Sequence, residues 1–404
     1  MPRLMFLAHR IPYPPNKGEK LRAYHVIAHL AERFDIRLGC LVDDPADWDG
    51  VEALRRLCGD VAAFGITRRP QRIKALMRAR PGRSMMLDYY RHPGLRRWVR
   101  AQLAEGIDAA LVYTAAMMPY VLHAPIPLIL DMVDVDSEKW AMYAPRARFP
   151  MSAVWRREAR NLLAFERRAA AASRITMLVS PVEAARLATL APESRGKIDW
   201  FEIGVDLEAF SPDREWPDPF ADARPHIVFT GHMDYWPNID AASWFATDVM
   251  PLLRSRVPAP DFWIVGANPS SAVKHLSTLG GVHVTGRVPD VQPYLSHAAV
   301  CVAPLRMARG VQTKVLEAMA MGRPVVVSPP ALEGIRVEPG THMLVADGAE
   351  AFADAVSSVL DGHHAGLGAA ARLAMEERYA WSATLARLDR HLAQCLDQPR
   401  LFRD

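Results

Sequence analysis

The 404-residue chain has little cysteine: Cys40, Cys58, Cys301 and Cys395, with no paired spacing. That excludes a disulfide framework and gives no zinc-ligand pattern. The four are expected to be buried apolar side chains in a reducing compartment. No run of eighteen or more apolar residues occurs, so no spanning helix is expected. The apolar run in MPRLMFLAH is too short for a secretory leader and leads into charge. There is no short-period repeat and no RNA-binding motif. The expected location is the cytosol, including the inner face of the cytoplasmic membrane. What is present is a globular composition, 50% hydrophobic and 23% charged, long enough for two domains.

Short apolar strand patterns alternate with helical ones. LMFLAH, IRLGCLV, VAAFGIT, IDAALVYT, PLILDMVDV, ITMLVS and KIDWFEIGV read as strands of a first half. A helix is expected between IDAALVYT and PLILDMVDV, and a long basic one over 151–173. PHIVFTG, FWIVG, VHVTG, AVCVAPL, PVVVS and HMLVAD repeat the scheme in a second half. This predicts an α/β chain of two Rossmann-like domains with parallel sheets. The expected division is an N-terminal domain 1–210, a Pro/Asp-rich linker 211–224, a C-terminal domain 225–380, and a last helix in 381–404 that packs back toward the first domain.

Residues 309–328 read RGVQTKVLEAMAMGRPVVVS. Thr313 is a candidate N-cap, with Gly310 as an earlier start. Leu316, Met319 and Ala320 form a buried stripe, while Lys314 and Glu317 share another face. A lysine in the first turn opposes the helix dipole unless an anion sits there. With a phosphate in place, the N–H groups of Gly310, Val311, Gln312 and Thr313, the dipole and Lys314 would converge on it. Glu317, one turn deeper, would accept hydrogen bonds from hydroxyls. The stretch equally fits an ordinary βαβ unit with a Lys–Glu surface pair, and spacing alone does not choose.

GVQTKVLEAMAMGRPVVVS resembles the donor-binding signature of retaining glycosyltransferases of the GT-B fold, the large family-four class. IGVDLEAFSPD, TGHMDYWPNIDAASWF, VTGRVPDVQPYLSHAAVCVAPLR and AHRIPYPPNKGEKLRAYHVIAHLA are similar to its other landmarks, in family order over nearly the whole chain. With LDMVDVDSEKW added, the chain resembles a bacterial subgroup associated with exopolysaccharide and exosortase-type surface systems. The resemblance implies two Rossmann-like domains facing across a cleft. It implies a nucleoside-diphosphate sugar as donor, a lipid-linked or oligosaccharide acceptor, retention at the anomeric carbon, and no metal or other cofactor. It places donor contacts at Gly18, Gly231, His232, Arg287, Val288, Gly310, Val311, Gln312, Thr313, Lys314 and Glu317.

Three departures stand out. Arg309 occupies the position where the family commonly has a second glutamate. The loop after Gly231 lacks the usual basic pair. Together they suggest that Arg306, Arg309 and Lys314 restore the cations a diphosphate needs. Where many relatives have a histidine, this chain has Asp131, Asp134 and Asp136, with Asp134 the candidate to face the reacting sugar. Asp134-Val135-Asp136 has metal-site spacing, but no such pair ends an apolar strand in the second half, where a metal-dependent donor site is expected.

Residues 68–100 hold eleven Lys/Arg and one acid, and 155–168 form a second basic amphipathic stretch. Both suit an anionic membrane surface near a lipid-linked acceptor; nucleic acid is not expected as a partner. Competing functions are a sugar-nucleotide epimerase, whose acidic and histidine cluster is not evident, and a catalytically degenerate nucleotide-binding scaffold, which the Arg309 reversal favours and the intact Lys314–Glu317 pair opposes.

Overall fold

The computed structural model of the chain describes residues 1–15, 18–67, 70, 71, 75, 77, 82–220, 222–255, 259–308 and 310–397. It divides into two compact units, Met1–Glu202 with Leu385–Asp404, and Ile203–Thr384. The Pro/Asp-rich segment 211–224 therefore belongs to the second unit rather than lying between domains, and the boundary falls earlier than the composition suggested.

The first unit holds strands β1 Arg3–Ala8, β2 Asp35–Val42, β3 Asp60–Gly65, β4 Ala109–Tyr113, β5 Leu128–Val133, β6 Ile175–Leu178 and β7 Ile198–Trp200. They form one sheet in the order β3-β2-β1-β4-β5-β6-β7. Every pairing is parallel. Helices cover both faces of such a sheet, so its inner strands read as continuous apolar runs. LMFLA of β1 and all of β4 are buried accordingly. Between β4 and β5 the expected α-helix is a 3₁₀ segment, Ala115–Tyr120, with Pro119 inside it. Proline lacks the N–H that a longer α-helix would need. From Leu385 onward the helix Trp381–Asp397 is part of this unit. Its Asp389 pairs with His29 at 2.9 Å, and its Arg387 and His391 pair with Asp199 at 2.9 and 2.6 Å.

The second unit holds β8 His226–Thr230, β9 Asp261–Val265, β10 Val282–Gly286, β11 Val300–Ala303, β12 Val325–Val327 and β13 Leu344–Val345. Their order is β10-β9-β8-β11-β12-β13, again parallel throughout. Both sheets thus reverse direction of growth beside their first strand, at β1/β4 and at β8/β11. Open parallel sheets bind ligands outside the carboxyl ends of strands at such a reversal. The four cysteines are free and buried, and burial pushes the thiols of Cys40, Cys58 and Cys301 up to about 12, which makes them unreactive.

Candidate functional site

In the second unit, the β8/β11 reversal gathers the loop after β8, the helix Trp236–Trp244 that follows it, and the helix Thr313–Ala320 that follows β11. The last of these starts at Thr313 with Gln312 as N-cap, and no side chain caps it. The expectation of a Thr313 cap is corrected: Gln312 turns its amide back to the carbonyl of Gly310, 3.0 Å away. Gly310 has φ +72°, a conformation that glycine adopts without cost. An uncapped N-terminus leaves its first N–H groups for a ligand or water. Val315, Leu316, Ala318, Met319 and Ala320 are buried, a wider apolar face than the expected three-residue stripe.

Lys314 crosses to the neighbouring loop. Its ammonium donates to Asn238 Oδ1 at 2.6 Å and lies 4.7 Å from the centre of the Phe229 ring. Asn238 is fixed in turn by donating to the carbonyl of His232 at 2.9 Å. Neither Lys314 nor Glu317 has an ion-pair partner within salt-bridge distance among the described residues. Protein atoms crowd both, although each keeps a narrow opening to solvent. Burial pushes the Lys314 ammonium down to about 7, against the opposing pull of Glu317. Burial likewise pushes the Glu317 carboxyl up to about 7, against the pull of Lys314. An opposite charge placed beside such a desolvated ammonium would favour its protonated form.

Gly231 makes the approach possible. A Cβ there would fall 2.7 Å from Asn238 Nδ2 and 3.2 Å from Lys314 Nζ. Gly266 permits the same loop from behind: at φ +150°, its Cβ would sit 1.7 Å from the Gly231 carbonyl oxygen. Gly231→Ala is therefore expected to displace Asn238 and Lys314 together, at about 1–3 kcal/mol of overpacking. Thermal melting and nucleotide titration of this variant check the prediction. Unchanged values in both would mean that the loop has slack.

Arg306 does not supply a spare cation. It forms a two-pronged pair with Asp240, Nε to Oδ2 at 2.9 Å and Nη2 to Oδ1. Arg309 lies outside the described residues. Arg287 is exposed and Val288 partly buried, just past Gly286 at the carboxyl end of β10. They share the sheet edge with Lys314 and form no hydrogen bond to it.

In the first unit, Gly18 opens the helix Gly18–Ala31. Two residues of that helix enter buried ion pairs: Lys20 with Asp47 at 2.6 Å, and Arg22 with Asp131 at 2.8 Å. Asp134 follows Val133, a β-branched residue at φ +69°. Such a backbone persists only where the surroundings over-determine it. Here Val135 N–H donates to Glu183 at 3.0 Å, and Ser137 N–H to Glu166 at 3.1 Å. Lys139 Nζ lies 3.0 Å from both Asp134 and Asp136. Burial works against its charge, but Asp136 and Asp134 outweigh burial and hold its pKa above the usual lysine value. A protein ammonium thus bridges the Asp-x-Asp pair where a metal ion would bind. Asp134 Oδ1 is buried and has no hydrogen-bond partner in the structure.

The helix Met151–Ala172 corrects the reading of 155–168. Leu162 and Phe165 of its apolar face are buried, and so are Glu158 and Glu166. Only its arginine-bearing side remains for an anionic surface. Part of 68–100 lies outside the described residues. No described helix is long and apolar enough to cross a membrane. Sequence reading missed Asn238, Phe229, Arg22 and Lys139, and it named Asp131 without its partner, since the Arg22–Asp131 pair joins residues 109 positions apart.

A family model for glycosyl transferases group 1 matches residues 224–362, the greater part of the second unit. Comparison with curated protein sequences finds no match. Among solved structures, the chain is similar to sucrose-phosphate synthase from Thermosynechococcus elongatus, with 17% identity, a TM-score of 0.71, and 98% of this chain and 99% of that one covered. It is similar to Anabaena Alr3699/HepE in complex with UDP-glucose, at 13% identity and TM-score 0.64, covering 97% and 99%. It is also similar to WaaG, a glycosyltransferase involved in lipopolysaccharide biosynthesis, at 14% identity and TM-score 0.64, covering 96% and 98%. Residues 224–362 are thus a glycosyl transferases group 1 domain on a chain of GT-B fold, and the protein is a glycosyltransferase.

Proposed function

We propose that the chain transfers a sugar from a nucleoside-diphosphate sugar, with retention at the anomeric carbon, to a lipid-linked glycan of a bacterial surface polysaccharide. The observation that carries this reading is Lys314: a desolvated ammonium with only neutral partners, beside an uncapped helix N-terminus. The breaking bond joins the anomeric carbon to a β-phosphate oxygen. Negative charge grows on that oxygen as the bond opens. Lys314 and the N–H groups of Gly310, Val311, Gln312 and Thr313 meet the charge without reorganising, which is where electrostatic catalysis gains most. In this reading Glu317 accepts from ribose hydroxyls. Gly231 and His232 line the phosphates, and Arg287 and Val288 flank the base. By the family resemblance, Arg309 and Gly18 are further donor contacts. Asp134, with one oxygen unpartnered on a strained loop, faces the reacting sugar. No step calls for a metal, and the arginine-rich surface suits work at the inner face of the membrane.

A panel of UDP-, GDP- and ADP-sugars, scored for hydrolysis and nucleotide release, tests the reading; NMR of the product anomer tests retention. Absence of both binding and turnover across the panel would favour a non-catalytic role.

The pKa displacement makes a further prediction. Bound diphosphate favours protonated Lys314, so its pKa is higher in the complex than in the free protein. Affinity is then full below about 7 and falls as pH rises, by at most about tenfold per unit. UDP titrated at pH 6.5 and 8.5 should bind more weakly at the higher pH, with proton uptake visible in buffers of different ionisation enthalpy. Lys314→Met should flatten the profile.

A further inference from the structure

We propose that the first unit carries a binding site for the diphosphate of the acceptor, in a basic cavity at the carboxyl end of β3. The acceptor role rests on the function proposed above; the anion site itself does not. The cavity has a volume of about 670 Å³ and follows directly from Gly65, the last residue of β3, through Ile66 and Thr67. It thus lies at the carboxyl end of the outermost strand, on the same edge of the sheet as the β1/β4 reversal. Arg91, Arg96, Arg97 and Arg100 line it, with His92 and Gln71.

These four guanidinium groups have no carboxylate partner among the described residues. Several arginines elsewhere are paired, such as Arg22 with Asp131, Arg167 with Glu193, Arg306 with Asp240 and Arg387 with Asp199. Four unpaired like charges around one concavity repel each other, and a polyanion would relieve that repulsion. The backbone between Tyr90 and His92 is fixed in advance. Tyr120 Oη donates to the Tyr90 carbonyl and accepts from His92 N–H, both at 2.7 Å. Gln71 donates to the Arg91 carbonyl at 3.3 Å. Leu95 and Val99 anchor the helix Pro93–Glu105 in the core, so Arg96, Arg97 and Arg100 are held on a rigid element.

A second cavity of about 370 Å³ shares Arg91 and Arg96 with the first and adds the apolar Leu87, Pro119 and Phe165 beside the charged Arg83, Asp88 and Arg168. A cavity of mixed apolar and charged lining therefore adjoins the anion site. That combination matches the diphosphate of a polyprenyl carrier with the first part of its chain. A phosphate carried on a soluble sugar would use the arginines alone.

The test titrates the full chain, with UDP present in excess to occupy a donor site, using inorganic pyrophosphate and farnesyl diphosphate as probes. Both should bind, and the double variant R96Q/R100Q should weaken binding about tenfold or more, with unchanged melting temperature and UDP affinity. The charge-keeping R96K/R100K should retain part of the affinity. Tighter binding of farnesyl diphosphate than of pyrophosphate assigns the lipid source; equal binding assigns a phosphate on a soluble acceptor. No binding of either probe, or binding untouched by the glutamine variants, overturns the proposal. Failure of UDP alone would bear on the donor reading and leave the anion site standing.

Discussion

Lys314→Met is expected to lower kcat by about a hundredfold to a thousandfold while leaving the fold as stable as before or more so. Methionine keeps an unbranched chain of similar length over the Phe229 ring and removes only the charge. Free Lys314 is a cost to folding. Its pKa is lowered from 10.5 to about 7, so between those values the unfolded chain binds more protons than the native one. Stability therefore rises with pH across that window. Glu317 has the opposite sign: raised from 4.5 to about 7, it makes stability fall as pH rises from about 4.5 toward 7. The two limbs meet near neutrality, where the pair costs most. Lys314→Met should abolish the stability gain between pH 7 and 9.5, as read by chemical denaturation at each pH. Loss of activity together with gain of stability identifies a residue kept for chemistry. An active K314M enzyme would remove the central part of the functional reading.

Breaking the Arg22–Asp131 pair should produce the largest loss of stability. Arg22 is fully buried and Asp131 nearly so. The guanidinium donates twice to Asp131, at 2.8 and 3.0 Å, and once to the Phe201 carbonyl at 2.9 Å, and it lies 3.5 Å over the Phe201 ring. It ties the helix Gly18–Ala31 to β5 and to the end of the first unit's main segment. Asp131→Ala would leave that charge buried without its partner, at about 3–5 kcal/mol. For a unit of this size that is roughly 10 °C or more in Tm. Replacing both partners, as in R22M/D131L, should recover much of the loss, because two apolar side chains need no mutual charge. If the double variant melts no higher than Asp131→Ala, the pair does more than hold its own charges. Activity should fall in the single variant as well, since β5 ends at Val133 and leads directly into Asp134.

The strands were legible in the sequence because both sheets are parallel and covered on both faces. VCVA of β11 and VVV of β12 are buried throughout and could only be strands or short buried helices. Edges were harder. β7 and β13, at the last edge of each sheet, keep only three and two residues of the longer apolar runs. The helix Thr313–Ala320 was legible from its spacing, and Lys314 and Glu317 from their place on it. For 155–168 only the structure tells where the apolar face goes: Leu162 and Phe165 are buried, and an amphipathic helix looks the same in sequence whether its apolar face meets lipid or core.

By itself, the sequence determined the two α/β halves and, through a family resemblance, the class of chemistry, and it pointed to 309–328 as the stretch to test for a donor, since these depend on local periodicity and on neighbours within a helical turn. Tertiary structure alone decided which charges are spent and which are free. Arg306 is neutralised by Asp240 and Lys139 fills the Asp134–Asp136 pair, whereas Lys314 and the arginines around His92 have no carboxylate at salt-bridge distance among the described residues. The reason is that electrostatic pairing depends on distance and burial, and chain folding sets both between residues far apart in sequence.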